Sequence, residues 1–257
     1  MQASHRYAAA MAEGRLALGV FCVLDGYAAS HVLATAGFDL VVFDRQHAAF
    51  DWSALENLCF RVRATDAAVF VRTASRDSAE LDLTLDLPVD GIVVPNVTSA
   101  AEAAEAVRAA RLPPTGTRSL GNERNQTVLG VGYDAIPEPM VALLVEHPGA
   151  VDEIEAISAT PGVGALWVGT HDLAAAMGLD PVAAVAQPPA PLVEATRRVQ
   201  AAAAAHGTHF WTTRAAALRD AAGEREHGAT AAIWGVDVRM LADAARDAVQ
   251  RFRDATG

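Results

Sequence analysis

The chain has 257 residues, enough to bury a full core, and α/β barrels of this size are routinely one domain, so residues 1–257 are read as a single domain. A formal net charge of −11 argues against nucleic-acid and acidic-membrane partners, which attract basic surfaces, and leaves small molecules as the expected partners. All 20 basic residues are arginine, so every mechanism that needs a lysine Schiff base, with a carbonyl substrate or with pyridoxal phosphate, is closed.

Cys22 and Cys59 lie in apolar surroundings without metal-type spacing, as reduced thiols of a cytosolic protein would. Glu13 and Arg15 interrupt any signal-peptide core, and no apolar run approaches the roughly 20 residues of a membrane span. The expected location is the cytoplasm. A hydrophobic share of 52% is high for a soluble monomer, which points to a homo-oligomer.

In chain order, eight short apolar runs alternate with alanine-rich helical stretches: "ALGVFCVL", "FDLVVFD", "AAVFVRT", "GIVVPN", "MVALLVE", "ALWVGT", "THFWTT" and "TAAIWGVD". Each is nearly continuously hydrophobic, which fits parallel strands buried on both faces. Ser53 with Glu56, and Ser99 with Glu102, match the S-x-x-E capping box of a helix start. Gly37, Gly207 and Gly228 sit where helices should end. Eight βα units predict an α/β fold of the (β/α)8 TIM barrel type. The runner-up, a doubly wound open sheet, would in its dinucleotide form want G-x-G-x-x-G after an early strand, and none is present. One segment breaks the rhythm: Leu112 to Pro139, rich in glycine and proline, is a loop long enough to expect a function.

In such a barrel the chemistry sits at the C-terminal ends of the strands. "VVFDRQHAAFDW", from Val41 to Trp52, is an apolar strand that stops in Asp44, Arg45, Gln46 and His47. Strand three ends in Arg72, strand five in Glu146, and strand six is followed by Asp172. Taken singly, Asp172 could be a helix cap and His47 a loop histidine; as a set, five ionisable groups converge on one end. Glu146 and Asp172, from adjacent strands, make a hard oxygen site suited to Mg2+ or Mn2+. Two protein ligands leave about four octahedral positions for water and for a chelating 2-oxo acid. Arg72 would complement the charge that grows on the keto oxygen.

These residues resemble the HpcH/HpaI aldolases, metal-dependent pyruvate-type aldolases on a TIM barrel. The likeness rests on "VVFDRQHAAFD", "FVRTASRD", "PPTGTRSLG", "VEHPGAVDEI" and "VGTHDLAAAMG" and runs from "ALGVF" to "GVDVRMLADAARDAVQRF". It implies Glu146 and Asp172 as ligands of Mg2+, Mn2+ or Co2+, His47 with Asp44 as the acid/base pair, and Arg72 as the pyruvate-binding arginine. It implies a hexamer with Asp86 reaching a neighbour's site. It also implies that the backbone at Gly169, Thr170 and His171 lines the substrate carboxylate, and that Trp211 and Thr212 face the aldehyde part. Thr170 and His171 depart from the family's Gly-Pro-small pattern, which leaves the substrate open. Gln46 either helps to bind and position or is only solvated.

The expected reaction is cleavage or formation of the C–C bond of 4-hydroxy-2-oxo acids through a metal-bound pyruvate-type enolate. His47 would take the 4-hydroxyl proton, with Asp44 holding its imidazole. The alternatives are an oxaloacetate-type decarboxylase or acyl-CoA lyase on the same scaffold, and a non-catalytic ligand-binding barrel.

Overall fold

Runs of valine, leucine and aromatic residues too apolar to leave either face in water become eight parallel strands. The computed structural model describes residues 6–121, 123, 127, 128, 130, 132, 136–213 and 221–256. The strands are β1 (Ala17–Cys22), β2 (Leu40–Asp44), β3 (Ala68–Arg72), β4 (Gly91–Val94), β5 (Met140–Val145), β6 (Val163–Val168), β7 (His209–Thr213) and β8 (Ala231–Val236). Each pairs with its successor and β8 pairs with β1, so the sheet closes into the expected (β/α)8 barrel.

Helices α1 (Arg6–Glu13), α2 (Tyr27–Ala36), α3 (Trp52–Arg63), α4 (Ser78–Leu85) and α5 (Ala100–Ala110) accompany the first half of the chain. In the second half come α6 (Pro148–Asp152), α7 (Ile154–Ser158), α8 (Thr170–Ala176), α9 (Pro181–Ala186), α10 (Ala190–His206), α11 (Ala221–Glu226) and α12 (Asp237–Thr256). Ser99 caps α5 by accepting the Glu102 N–H at 3.3 Å, while the Glu102 carboxylate bonds the backbone N–H of Thr98, one residue earlier than a strict capping box. Ser53 does not cap. Asp51 starts α3 instead, accepting the Ala54 N–H at 2.7 Å, because an Asp two residues upstream outcompetes the serine. Gly37 and Gly207 end α2 and α10 in the left-handed region, at φ 113° and 69°.

Side chains that point into the barrel fill it as a column of edge-to-face aromatic rings. Tyr7 of α1 packs on Trp211, Trp211 on Phe70 at 5.0 Å between centroids, and Trp167 on Phe21 at 5.7 Å nearer the mouth. Such rings need small neighbours: a Cβ at Gly91 would lie 2.4 Å from the Phe70 ring. The expectation that Trp211 faces the aldehyde is therefore corrected. Its indole is fully buried within this column. Both cysteines are free and buried, and burial pushes their thiols up.

Acidic residues at the strand starts tie the opposite end together. Asp39 takes both terminal nitrogens of Arg15 at 2.9 Å and the Leu18 N–H at 2.7 Å. Among the described residues no helix is long and apolar enough to cross a membrane. The last helix is unusual: in α12 only Asp237 is buried, and Val238, Leu241, Val249 and Phe252 form an exposed stripe at helical spacing.

Trp211→Ala should cost about 3–5 kcal/mol by leaving a cavity in the aromatic column. Urea denaturation checks this, and a change of less than about 1 kcal/mol would show that Trp211 is not part of the core.

Candidate active site

The register of β2 against β3 places Asp44 directly opposite Arg72 at the C-terminal edge of the sheet. Their side chains form a paired contact: Arg72 Nε donates to Asp44 Oδ1 at 2.9 Å and Nη2 to Oδ2 at 2.8 Å. Both residues are buried, and the guanidinium also lies over the Phe21 ring at 4.9 Å. Among the described residues no hydrogen bond engages Arg72 Nη1, so that nitrogen is left for a ligand.

Asp44 Oδ1 also accepts the backbone N–H groups of Gln46 and His47, at 3.0 and 3.2 Å. This corrects the expectation that Asp44 holds the His47 imidazole. The carboxylate is taken up by Arg72 and by the turn, so it fixes the backbone from which His47 projects. The His47 side chain is exposed. Arg45 stacks on Trp52 at 4.4 Å and lies 3.8 Å from Glu80, binding this turn to α4. The Gln46 side-chain oxygen is buried without a hydrogen-bond partner among the described residues.

Glu146 follows the last residue of β5 and is 7% exposed. One carboxylate oxygen accepts the Asn96 N–H at 2.7 Å. Asn96 reaches it because it sits at φ 57°, the left-handed conformation that asparagine tolerates better than most residues. Burial pushes the Glu146 carboxyl above its ordinary range. The Asn96 N–H opposes that push, Asp172 adds to it by like-charge repulsion, and Arg72 and His47 oppose it. Glu146 thus feels the charges of Asp172, Arg72 and His47, and Asp44 is tied to this group through Arg72.

Asp172 lies exposed in the first turn of α8. Gly169 must be small: its N–H bonds the Val145 carbonyl at 3.0 Å, and a Cβ there would stand 3.0 Å from the Glu146 Cβ and 3.3 Å from its Oε2. The close fit holds the β5 and β6 ends side by side and turns Oε2 toward Gly169. Among the described residues no three Asp, Glu, His or Cys groups gather in metal-binding geometry. The donor set is two carboxylates.

Between these ends lies a cavity of about 180 Å3 lined by Arg72, Gly169, Thr170, His171 and Asp172, with Phe21, Trp167 and Thr213. The last three were not singled out in the sequence. Thr213, not Thr212, faces this mouth. Thr212 points to the outside of the barrel, which corrects its expected place, because side chains alternate along β7 and Trp211 already takes the inner side. The Trp167 indole N–H donates to Thr213 Oγ1. Asp237 was also missed: its carboxylate accepts the N–H groups of Val23 and Leu24 at 3.1 and 3.0 Å and fixes the turn after β1 beside β8.

Asp86 sits away from this mouth at the end of α4, where Arg118 lies 3.6 Å from its carboxylate; burial pushes its carboxyl up and Arg118 opposes the push. Arg118 is itself buried and donates to the Leu85 carbonyl at 2.6 Å. The described start of the long loop is therefore anchored on α4. Much of the remainder, including residues 124–126 and 133–135, lies outside the described residues.

The family model described as HpcH/HpaI aldolase/citrate lyase matches residues 17–244. The chain is 32% identical over 248 residues to a 4-hydroxy-2-oxovalerate aldolase of Rhodococcus jostii, across 95% of this chain and 94% of that protein. It is also 32% identical over 257 residues to a hydroxypyruvate/pyruvate aldolase of Roseovarius nubinhibens, across 97% of each. The crystal structure of an HpcH/HpaI aldolase from Desulfitobacterium hafniense aligns over 96% of each chain, with a TM-score of 0.86 at 26% identity.

Asp44→Ala should destabilise the fold by about 3–5 kcal/mol, because it strands the buried Arg72 charge and frees two backbone donors. Denaturant unfolding measures this. A loss below about 1 kcal/mol would mean that the Arg72 head escapes to solvent.

Proposed function

Since this chain belongs to the HpcH/HpaI aldolase/citrate lyase family and is a carbon–carbon lyase, we propose that it cleaves or forms the C3–C4 bond of 4-hydroxy-2-oxo acids with the help of a divalent cation. The observation that carries this reading is the 180 Å3 cavity lined by Asp172 and the fixed guanidinium of Arg72, with the Glu146 carboxylate near enough to feel both charges.

The residues fit a divalent ion. Two carboxylates share a half-buried mouth and repel each other, and the Glu146 carboxyl is displaced upward until a positive charge relieves it. Both donors are hard oxygens. Mg2+, Mn2+ or Co2+ bound there would act as a Lewis acid toward the keto oxygen of a 2-oxo acid. The remaining work falls to side chains. Arg72, held through Nε and Nη2 by Asp44, offers Nη1 to the oxygen on which negative charge grows. His47, on a turn pinned by Asp44, moves the proton of the 4-hydroxyl, directly or through water. The backbone at Gly169, Thr170 and His171 borders the same cavity and is where the substrate carboxylate would lie. With no lysine in the chain, the charge of the carbanion next to the carbonyl has no imine to receive it.

Assembly belongs to the same reading. The apolar stripe of α12, with Phe252 69% exposed, and Trp234 on β8 suit burial against further copies, and a hexamer is the arrangement we propose, with Asp86 directed at a neighbour's site.

Removing metal by chelation should abolish activity, and adding back Mg2+, Mn2+ or Co2+ should restore it. Glu146→Gln and Asp172→Asn should each weaken Mn2+ binding by at least about tenfold, read by titration calorimetry without substrate. Full turnover in excess chelator, or unchanged Mn2+ affinity in both variants, would refute the metal assignment.

The double change Leu241→Glu and Phe252→Glu should reduce the particle mass measured by light scattering. An unchanged mass would show that this helix face plays no part in assembly.

A further inference from the structure

A second cavity, of about 340 Å3, lies outside the barrel wall between the end of β7 and helices α9 and α10. Ala184, Val185, Pro188, Leu192 and Val193 give it an aliphatic side, Thr212 faces it from β7, and Thr196, Arg197, Gln200 and His227 line the rest. Thr170 and Thr213 line both this cavity and the reaction cavity, so the two spaces are neighbours across that pair of threonines.

The sizes are informative. Ligand pockets usually span roughly 300–1,000 Å3. The reaction cavity, at about 180 Å3, falls short of that range and suits a 2-oxo acid with a very small aldehyde. With the side cavity it falls within the range. The chemistry changes along the path. Arg72, His171 and Asp172 border the reaction cavity, Thr170 and Thr213 are common to both spaces, and one side of the space beyond is aliphatic while its outer side carries Arg197, Gln200 and His227. Thr213 Oγ1 already accepts the Trp167 indole N–H, which leaves its own proton free to donate to an oxygen of the acceptor.

We propose that the aldehyde half of the substrate carries an unbranched apolar tail of several carbons, which passes between Thr170 and Thr213 into this side cavity. The inference rests on the aldolase reading above and adds the class of aldehyde. It also gives Thr212 a role, on the tail and not at the reacting carbons. A short polar aldehyde would leave the aliphatic wall wet; a tail removes that surface from water and gains affinity with each carbon added.

The test uses the metal-loaded full chain, pyruvate and a series of straight aldehydes from acetaldehyde to octanal, with kcat/KM as the readout. Exchange of pyruvate methyl protons, followed by NMR without aldehyde, is measured in the same samples. We expect exchange to proceed and kcat/KM to rise about fourfold per methylene until the cavity is full, as burial of one CH2 gives. Val185→Trp and Thr196→Trp, at partly exposed positions on the cavity wall, should each keep exchange and flatten the series to within about twofold. A flat series in the wild-type chain with normal exchange overturns the tail and leaves the aldolase reading standing. A steep series that survives both substitutions with exchange intact overturns the assignment of the cavity. Absence of exchange in the wild-type chain overturns the aldolase reading and the tail with it.

Discussion

The bidentate pair between Asp44 and Arg72 is the contact on which the site depends. It joins the ends of β2 and β3, it is buried, and it is made possible by the register that sets the two residues opposite each other. Stability alone does not explain it. Burying two charges costs several kcal/mol each in desolvation, and apolar residues of similar volume often serve as well or better. What the pair provides is position. A guanidinium held at two nitrogens has little freedom left, so it stays at the wall of the cavity that Asp172 also lines. The same carboxylate anchors the turn that carries His47. One aspartate thus orients both the group that would receive negative charge and the group that would move a proton.

The two ends of the barrel use acidic residues differently. At the strand starts Asp39 and Asp90 are spent on arginines and on backbone N–H groups, which ties loops down. At the strand ends Asp44 and Asp237 do similar work, but Glu146 keeps one oxygen toward Gly169 and Asp172 stays exposed. The carboxylates that fix structure are saturated, and the pair with unspent oxygen atoms sits together at one mouth. The aromatic column beneath, from Tyr7 through Trp211 and Phe70 to Trp167, supplies a close-packed floor for that mouth.

The sequence shows the barrel clearly, because parallel strands buried on both faces read as unbroken apolar runs, and polar residues that end such runs stand out. That same continuity hides which side chains point inward. In "THFWTT" nothing in the pattern separates Trp211 from Thr212 or Thr213, so the sequence does not distinguish the core indole from the threonine at the mouth. Phe21 and Trp167 were hidden in the same way. The partner of Asp44 was invisible for another reason: His47 is near in sequence, whereas Arg72 becomes near only when β2 and β3 pair in register. Asn96 had a faint signal, a Pro-Asn at a strand end, but its bond to Glu146 depends on a backbone conformation that composition does not specify. Ser53 failed as a cap because Asp51 stood two residues earlier.

The central claim is that Glu146 and Asp172 hold a divalent ion beside a guanidinium that Asp44 keeps in place. A crystal structure grown with Mn2+ and oxalate, a pyruvate-enolate mimic, tests it most directly through anomalous scattering. The account predicts one manganese peak in contact with both Glu146 and Asp172, oxalate completing its coordination, and Arg72 reaching oxalate while still paired with Asp44. Manganese bound elsewhere, or Arg72 released from Asp44 to bind the anion, would contradict it.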